Sequence, residues 1–175
     1  SAKRQWTEEE RLVLDQVTRV ADEIIAPAAA GYDQSRDYPE DSMAALNELG
    51  MNAIFVPEIY GGALMSYRLY LECVSIISTA CASTGIIYAT NFHGMKPLID
   101  FGAEEQKLRL LPRIAEGGLG SLAITESSAG SDATGMKTRF TPDGDDIIID
   151  GSKTFISNGD RAELILLFGK WSEIE

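Results

Sequence analysis

The sequence has very little of the residue types that bind metals or form covalent cross-links. Histidine occurs once, at His93, and cysteine twice, at Cys73 and Cys81, so there is no His/Cys cluster for zinc or non-haem iron. The two cysteines lie eight residues apart in an apolar segment with helical spacing. This placement predicts two buried thiols in a reducing compartment and argues against a disulfide framework.

Positive charge and long apolar runs are also scarce. The 175 residues include 15 Lys and Arg against 27 Asp and Glu, and no segment is basic enough to bind nucleic-acid phosphates. No run of about 18 apolar residues predicts a membrane span, and the N-terminal "SAKRQWTEEE" lacks the apolar core of a signal peptide. With 45% hydrophobic residues, the composition predicts a soluble, acidic protein that has enough apolar side chains for a core.

Apolar residues recur at helical spacing through the first two thirds of the chain. Thr7 and Glu10 have capping-box spacing and begin the first predicted helix. The sequence predicts helices over 7–27, 39–50, 66–82, 84–101 and 104–116, with a packed loop over 51–62. Their predicted buried faces include Val13, Val17, Val20, Ala21 and Ile24 in the first helix and Leu108, Leu111 and Ile114 in the last.

The pattern changes to that of strands after Gly118. Strand-forming runs are predicted over 121–125, within 138–157 on both sides of the turn signal "PDGD", and over 163–171. The expected fold class is therefore α+β, with an all-α domain over 1–117 followed by an antiparallel β domain over 118–175. Because so few strands would leave an open sheet edge, we expect this β domain to be incomplete.

Two segments of the β part contain the candidate ligand-binding residues. "LAITESSAGSDATG", Leu122 to Gly135, combines glycines and hydroxyl residues that leave backbone N–H groups uncovered, and "KTFISNG", Lys153 to Gly159, is predicted to be its partner strand. The first segment is neither a P-loop nor a dinucleotide-binding GxGxxG motif. Composition alone leaves two alternatives open for this segment. It either binds an anionic or heteroaromatic ligand or forms an ordinary serine-rich turn.

Taken together, the two segments resemble motifs of the acyl-CoA dehydrogenase family, with an aliphatic-T-E-x-x-A-G-S-D loop and an aromatic-I-[ST]-N-G segment about twenty residues further on. The helix "GAEEQKLRLLPRIAEG" resembles that family's lead-in to its flavin-binding β domain. The resemblance covers essentially the whole chain, in the order helical domain, then start of the middle β domain. Ser127, Phe155 and Ser157 depart from the commonest family residues, but Phe155 keeps an apolar face and Ser157 keeps a hydroxyl group.

The resemblance implies an FAD site. It implies that Leu122, Ile124 and Thr125 run beside the flavin pyrimidine, with the Ile124 backbone and the Thr125 hydroxyl bonding its polar edge. It also implies that Gly130 and Ser131 lie near the FAD pyrophosphate, with Ser131 near the pantetheine or phosphate region of an acyl-CoA.

The second motif completes the implied site. The resemblance implies that Phe155, Ile156 and Ser157 pack against the isoalloxazine, with the Ser157 hydroxyl within reach of N5. Neutral donors there would stabilise the negative charge that arrives with a hydride.

The implied activity is α,β-dehydrogenation of an acyl-CoA to a trans-2-enoyl-CoA, with hydride transfer to FAD N5. The family's base is a glutamate of a C-terminal helical domain that these residues do not include, so no catalytic residue is assigned and the chain alone is expected to be inactive. Glu126 is interpreted as a loop carboxylate bound by backbone N–H groups, and His93 as a core residue or, alternatively, part of the acyl pocket. No metal site is expected.

Partners and alternatives also follow from the resemblance. It implies an electron-transfer flavoprotein as acceptor, a homo-oligomer (dimer or tetramer), and a bacterial cytoplasmic location, with the mitochondrial matrix as the alternative. An oxygen-using oxidase or flavin monooxygenase of the same fold, or a fragment that acts only in assembly, are the competing functions.

Overall fold

The computed structural model describes residues 5–172, with helices in the first two thirds and strands in the last third. The predicted α+β class is confirmed. The helices are α1 (Glu8–Val20), a π-helical segment (Ala21–Ile25), α2 (Ala26–Ser35), α3 (Glu40–Glu48), α4 (Tyr67–Ala80), α5 (Ala82–Phe101) and α6 (Glu104–Ala115). Short 3-10 helices occupy Met51–Ala53, Glu58–Tyr60 and Ala133–Gly135. The strands are β1 (Leu119–Ala123), β2 (Arg139–Asp143), β3 (Asp146–Asp150), β4 (Ala162–Leu167) and β5 (Lys170–Trp171).

The first helix begins as predicted but continues beyond its predicted end. Thr7 and Glu10 form the capping box, with the Thr7 Oγ1 accepting from the Glu10 N–H at 3.1 Å and Glu10 accepting from the Thr7 N–H at 2.9 Å. Pro27 does not end the helix, because it lies just after the π-helical segment, whose wider turn accommodates a residue that has no backbone N–H.

The π-helical segment changes which side chain of the first helix is buried. A π turn contains more residues than an α turn, so the apolar stripe shifts along the sequence. Ile25 is fully buried, whereas Ile24 is 37% exposed, and the prediction that Ile24 belongs to the buried stripe is wrong.

The helical part encloses one apolar core. Its fully buried side chains include Leu46, Ile77, Tyr88, Met95 and Leu111. The segment 51–62 packs into this core as predicted, through Ile54, Phe55, Val56 and Tyr60. Leu108 on α6 is 53% exposed, so its predicted inward orientation is wrong, whereas Leu111 and Ile114 are buried as expected.

Both cysteines lie in the helical part as free, buried thiols, which confirms their predicted state. Burial raises the pKa of Cys73 to about 12, with a further contribution from the nearby charge of Glu72. The thiol is therefore protonated and unreactive near neutral pH.

The strands form two small sheets with mixed pairing. β1 and β4 pair in parallel, and the second sheet has the order β3-β2-β5, in which β2 and β3 form an antiparallel hairpin and β2 pairs with β5 in parallel. The predicted antiparallel pairing is therefore found between β2 and β3 only, and the other two strand pairs are parallel. The predicted strand over 163–171 is divided between the two sheets, since β4 ends at Leu167 and β5 begins at Lys170. Gly169, between them, lies against the Phe140 ring, where an added Cβ would be 2.9 Å from the ring.

Close backbone contact joins α5 to β1. A Cβ added to Gly94 would lie 2.6 Å from the Ser121 nitrogen, and one added to Gly120 would lie 2.9 Å from the Asn91 carbonyl oxygen. Two glycines thus let the strand lie directly on the helix.

Candidate functional site

The two segments singled out from the sequence lie side by side. The Thr154 N–H donates to the Thr125 carbonyl at 2.9 Å, and the Lys153 Nζ donates to the Ile124 carbonyl at 2.8 Å. At the other end, the Ser121 Oγ donates to the Ser157 carbonyl at 2.6 Å. The structure therefore brings Leu122, Ile124 and Thr125 together with Phe155, Ile156 and Ser157.

The second segment is not a strand. Residues 151–161 form an extended stretch followed by turns, so the prediction of a partner strand over Lys153 to Gly159 is wrong. Two backbone φ angles explain the difference, because Phe155 has φ 56° and Asn158 has φ 62°. Both values lie in the left-handed region, which a strand does not use.

A buried ion pair, between Glu126 and Lys153, joins the first segment to the second. The Glu126 carboxylate accepts from the Thr138 hydroxyl at 2.6 Å, the Thr138 N–H at 2.9 Å, the Lys137 N–H at 2.6 Å and the Lys153 Nζ at 2.9 Å. The Glu126 and Lys153 side chains are only 5% and 8% exposed. This cluster ties the loop after β1 to the residues before β2 and to the extended stretch before Phe155.

The donors around Glu126 also define its charge. The Thr138 hydroxyl, the Lys153 ammonium and the Lys137 and Thr138 N–H groups hold the pKa of Glu126 well below its usual range. The anion is committed to these donors, which supports its interpretation as a bound loop carboxylate and leaves it unsuited to accept a substrate proton. Backbone donors were predicted for Glu126; the part played by Lys153 was not.

The loop between Glu126 and the 3-10 turn at Ala133 is open to solvent. Glu126 and Ala129 exchange backbone hydrogen bonds of 2.9 and 3.2 Å, which closes a tight turn. Beyond it, Gly130 and Ser131 are exposed, and a Cβ added to Gly130 would have no atom within 4 Å. Within residues 5–172, no hydrogen bond joins Gly130 or Ser131 to the Phe155–Ser157 segment.

An apolar cleft lies between α4 and α5. It has a volume of about 420 Å³ and is lined by Tyr67, Tyr70, Leu71, Val74, Ala89, Phe92, His93 and Lys96. His93 is exposed at this cleft and packs edge-on to Phe92, with ring centroids 6.1 Å apart. The interpretation of His93 as a core residue is therefore wrong, and its alternative, a pocket residue, agrees with this position.

Comparison with known proteins identifies the same two parts of the chain, a helical domain followed by a β domain. Residues 7–118 match the acyl-CoA dehydrogenase N-terminal domain, and residues 121–174 match the acyl-CoA dehydrogenase middle domain. The chain belongs to the acyl-CoA dehydrogenase family. It is 42% identical over 147 residues to the probable acyl-CoA dehydrogenase FadE25 of Mycobacterium leprae, a match covering 83% of this chain and 38% of that protein.

Solved structures of other proteins contain the same fold. A glutaryl-CoA dehydrogenase from Mycobacterium smegmatis in complex with FADH2 superposes with a TM-score of 0.87 and 26% identity over 98% of this chain and 45% of that one. A chain in the structure described as the electron transferring flavoprotein of Acidaminococcus fermentans superposes with a TM-score of 0.88 and 33% identity, covering 93% and 43%. The chain thus spans about two fifths of the length of the family members it matches.

The part of the chain that the structure describes contains neither a candidate metal site nor a candidate membrane-spanning helix. Within residues 5–172, no group of three or more His, Cys, Asp or Glu is placed to hold a metal ion. Over the same range, no helix has the length and apolar character that a bilayer crossing requires.

Proposed function

We propose that this chain supplies the helical domain and the flavin-facing segments of an FAD-dependent acyl-CoA dehydrogenase, which converts an acyl-CoA to a trans-2-enoyl-CoA. The observation that carries the proposal is the joining of residues 121–125 and 153–157 by three hydrogen bonds. Family membership and the relative in complex with FADH2 support it.

The free polar groups of the two segments fit a flavin. Within residues 5–172, the hydroxyls of Thr125, Ser131 and Ser157 make no hydrogen bond, and the N–H groups of Gly130, Ser131, Phe155, Ile156 and Ser157 have no protein acceptor. Uncommitted neutral donors beside an exposed aromatic ring suit a heteroaromatic ligand with a diphosphate.

Each segment has a distinct proposed role. The Ile124 carbonyl is occupied by Lys153, so the Ile124 backbone would contribute its N–H, and the Thr125 hydroxyl would bind the polar edge of the pyrimidine. Leu122, two residues before Ile124 in the chain, would contribute apolar contact at that edge. Gly130 and Ser131 would bind the diphosphate, and Ser131 also the acyl-CoA. The resident FAD would supply the hydride acceptor.

The Phe155–Ser157 turn would contact the opposite part of the ring system. Phe155 and Ile156 would give apolar contact, and the Ser157 hydroxyl would reach N5. Donors placed there before the reaction would stabilise negative charge without reorganisation. No residue of this chain is assigned as the catalytic base.

We propose the cleft between α4 and α5 as the site of the acyl chain, because its lining is dominated by aromatic and aliphatic side chains. Domain boundaries at 1–117 and 118–175 are proposed with it, supported by the change from α6 to β1 and by the two family matches. An electron-transfer flavoprotein as acceptor, a homodimer or homotetramer, and a bacterial cytoplasmic location belong to the same proposal, as does the mitochondrial matrix as the alternative location.

Anaerobic titration tests this function directly. The longest natural polypeptide that carries this sequence is purified with FAD and mixed with short- and medium-chain acyl-CoAs. We expect the visible absorbance of the flavin to bleach, and we expect Thr125→Val to slow bleaching while Thr79→Val, an exposed substitution on α4, leaves it unchanged. A protein that holds FAD but is reduced by no acyl-CoA would contradict the proposal.

Oxygen consumption separates the alternative chemistry. An acyl-CoA oxidase or flavin monooxygenase of the same fold would consume oxygen in step with turnover, whereas the proposed dehydrogenase would need an added electron acceptor. A protein that binds neither FAD nor acyl-CoA would instead favour a role in assembly only.

A further inference from the structure

The turn that carries Phe155 and Ser157 has a strained backbone. Phe155, with φ 56°, is an aromatic residue in a region that side chains with a Cβ rarely adopt. Its side chain is 93% exposed, so burial of the ring does not offset the strain. Polar groups must therefore hold this turn, and one of them is the Ser121 hydroxyl, which donates to the Ser157 carbonyl at 2.6 Å.

Asn158 is placed to hold it. Its side chain is buried, and its Nδ2 donates to the Ile87 carbonyl on α5 at 3.1 Å and to the Gly120 carbonyl on β1 at 3.3 Å. Its own φ of 62° is one that asparagine tolerates better than most residues. One side chain therefore joins the turn to both the helix and the strand beneath it.

Two further asparagine side chains, those of Asn91 and Asn52, hold β1, the strand to which Asn158 is bonded. The Asn91 Oδ1 accepts from the Gly120 N–H at 2.9 Å, and the Asn91 Nδ2 donates to the Asn52 Oδ1 at 3.1 Å. The Asn52 Nδ2 in turn donates to the Gly118 carbonyl at 3.2 Å. Gly120 is thus held by an asparagine at both its N–H and its carbonyl, which connects the turn to the helical core.

We propose that Asn158 is a positioning residue that holds the Phe155–Ser157 turn in its flavin-binding conformation. This inference rests on the proposed function. Without the two Nδ2 bonds, the strain at Phe155 favours relaxation of the turn, which would move the Ser157 hydroxyl and the free N–H groups away from the ligand.

Two substitutions distinguish the effect of the Asn158 hydrogen bonds from the effect of its left-handed backbone conformation. Asn158→Gly keeps the left-handed φ without strain but removes both anchoring bonds, and Asn158→Asp keeps the shape but places an acceptor against two carbonyls. Ile77→Val, in the fully buried core of α4, is the control for general loss of stability.

FAD affinity, the visible flavin spectrum and the Tm of the FAD-free protein are measured for the longest natural polypeptide that carries this sequence. We expect Asn158→Gly to weaken FAD binding by roughly tenfold, as the loss of two modest hydrogen bonds allows, and to shift the flavin spectrum. Asn158→Asp should weaken binding at least as much. Ile77→Val should lower Tm with no change in affinity or spectrum.

Each other result contradicts the inference. FAD binding and spectra that are equal in wild type and Asn158→Gly would overturn it alone and leave the proposed function standing. Affinity losses that follow Tm equally in Asn158→Gly and Ile77→Val would reduce Asn158 to a structural residue. A wild-type protein that binds no FAD would overturn the proposed function and this inference with it.

Discussion

The helical part and the β part of this chain are stabilised by different interactions. In the helical part, the buried side chains are mainly apolar and form one continuous cluster. In the β part, all residues of β3 are exposed, including Ile147, Ile148 and Ile149, while Glu126, Thr138 and Asn158 are buried. Apolar burial tolerates small movements, whereas hydrogen bonds and ion pairs depend on direction. The candidate site is built on the directional interactions.

The largest effect is expected from breaking the buried ion pair of the β part. Lys153→Met would leave the Glu126 anion buried beside a thioether, and we expect Tm to fall by about 10 °C. Arg113→Met is the matched control, because the Arg113–Glu163 pair is solvent-exposed at 3.6 Å and should change Tm by roughly 2 °C or less. Equal shifts in the two variants would show that burial of the ion pair is unimportant.

In the helical part, the comparable test is to create a cavity in the apolar core. Leu46→Ala removes a fully buried side chain and should lower the free energy of unfolding by about 3 kcal/mol in chemical denaturation. Leu71→Ala removes a side chain that is 63% exposed and should change it by about 0.5 kcal/mol or less. If hydrogen exchange at Thr154 rose in Leu46→Ala as much as in Lys153→Met, the two parts would not be stabilised independently.

The contact between the two parts can be tested with one methyl group. Gly94→Ala places a Cβ 2.6 Å from the Ser121 nitrogen and should lower the free energy of unfolding by about 2 kcal/mol, since β1 must move away from α5. Gly31→Ala, in α2 with no atom within 4 Å of the added Cβ, should raise it by roughly 0.5 kcal/mol. A neutral Gly94→Ala would show that the helix and strand are free to separate.

The smallest difference concerns the slope of stability with pH rather than the stability at neutral pH. Because the folded-state pKa of Glu126 is held below its ordinary value of 4.5, its contribution to stability is fully present above that value and is lost as pH falls below it. Glu126→Gln should therefore flatten the loss of Tm between neutral and acidic pH, from a lower starting Tm. Glu9→Gln, on the exposed face of α1, should keep the wild-type profile. An unchanged slope in Glu126→Gln would contradict the proposed charge state.

Much of the helical part could be predicted because its signals are local. The capping box at Thr7 and the buried residues Leu111 and Ile114 follow from spacing alone. Ile24 and Leu108 could not be predicted in the same way, since a π-helical segment and the neighbours available to α6 decide their exposure. His93 lay in an apolar helical pattern, yet the structure places it at an open cleft.

In the candidate site, motif resemblance identified the segments but not what holds them. Lys153 and Asn158 lie inside the quoted motif, and no periodicity distinguishes an ammonium or an amide that faces inward. Both act through carbonyl groups distant in the chain, such as Ile124 for Lys153 and Gly120 for Asn158. The predicted strand at Phe155 was wrong because Phe155 and Asn158 have left-handed φ angles, which their residue types and spacing do not indicate.

The order of side chains by itself determined the α+β class, the helical core and the two segments that carry the candidate site, because periodicity and turn chemistry act over a few residues. Only the tertiary structure decided the pairing of strands, the turn at Phe155 and the partners of Glu126. These depend on backbone groups that meet across long stretches of sequence, and a carbonyl oxygen has no sequence signature.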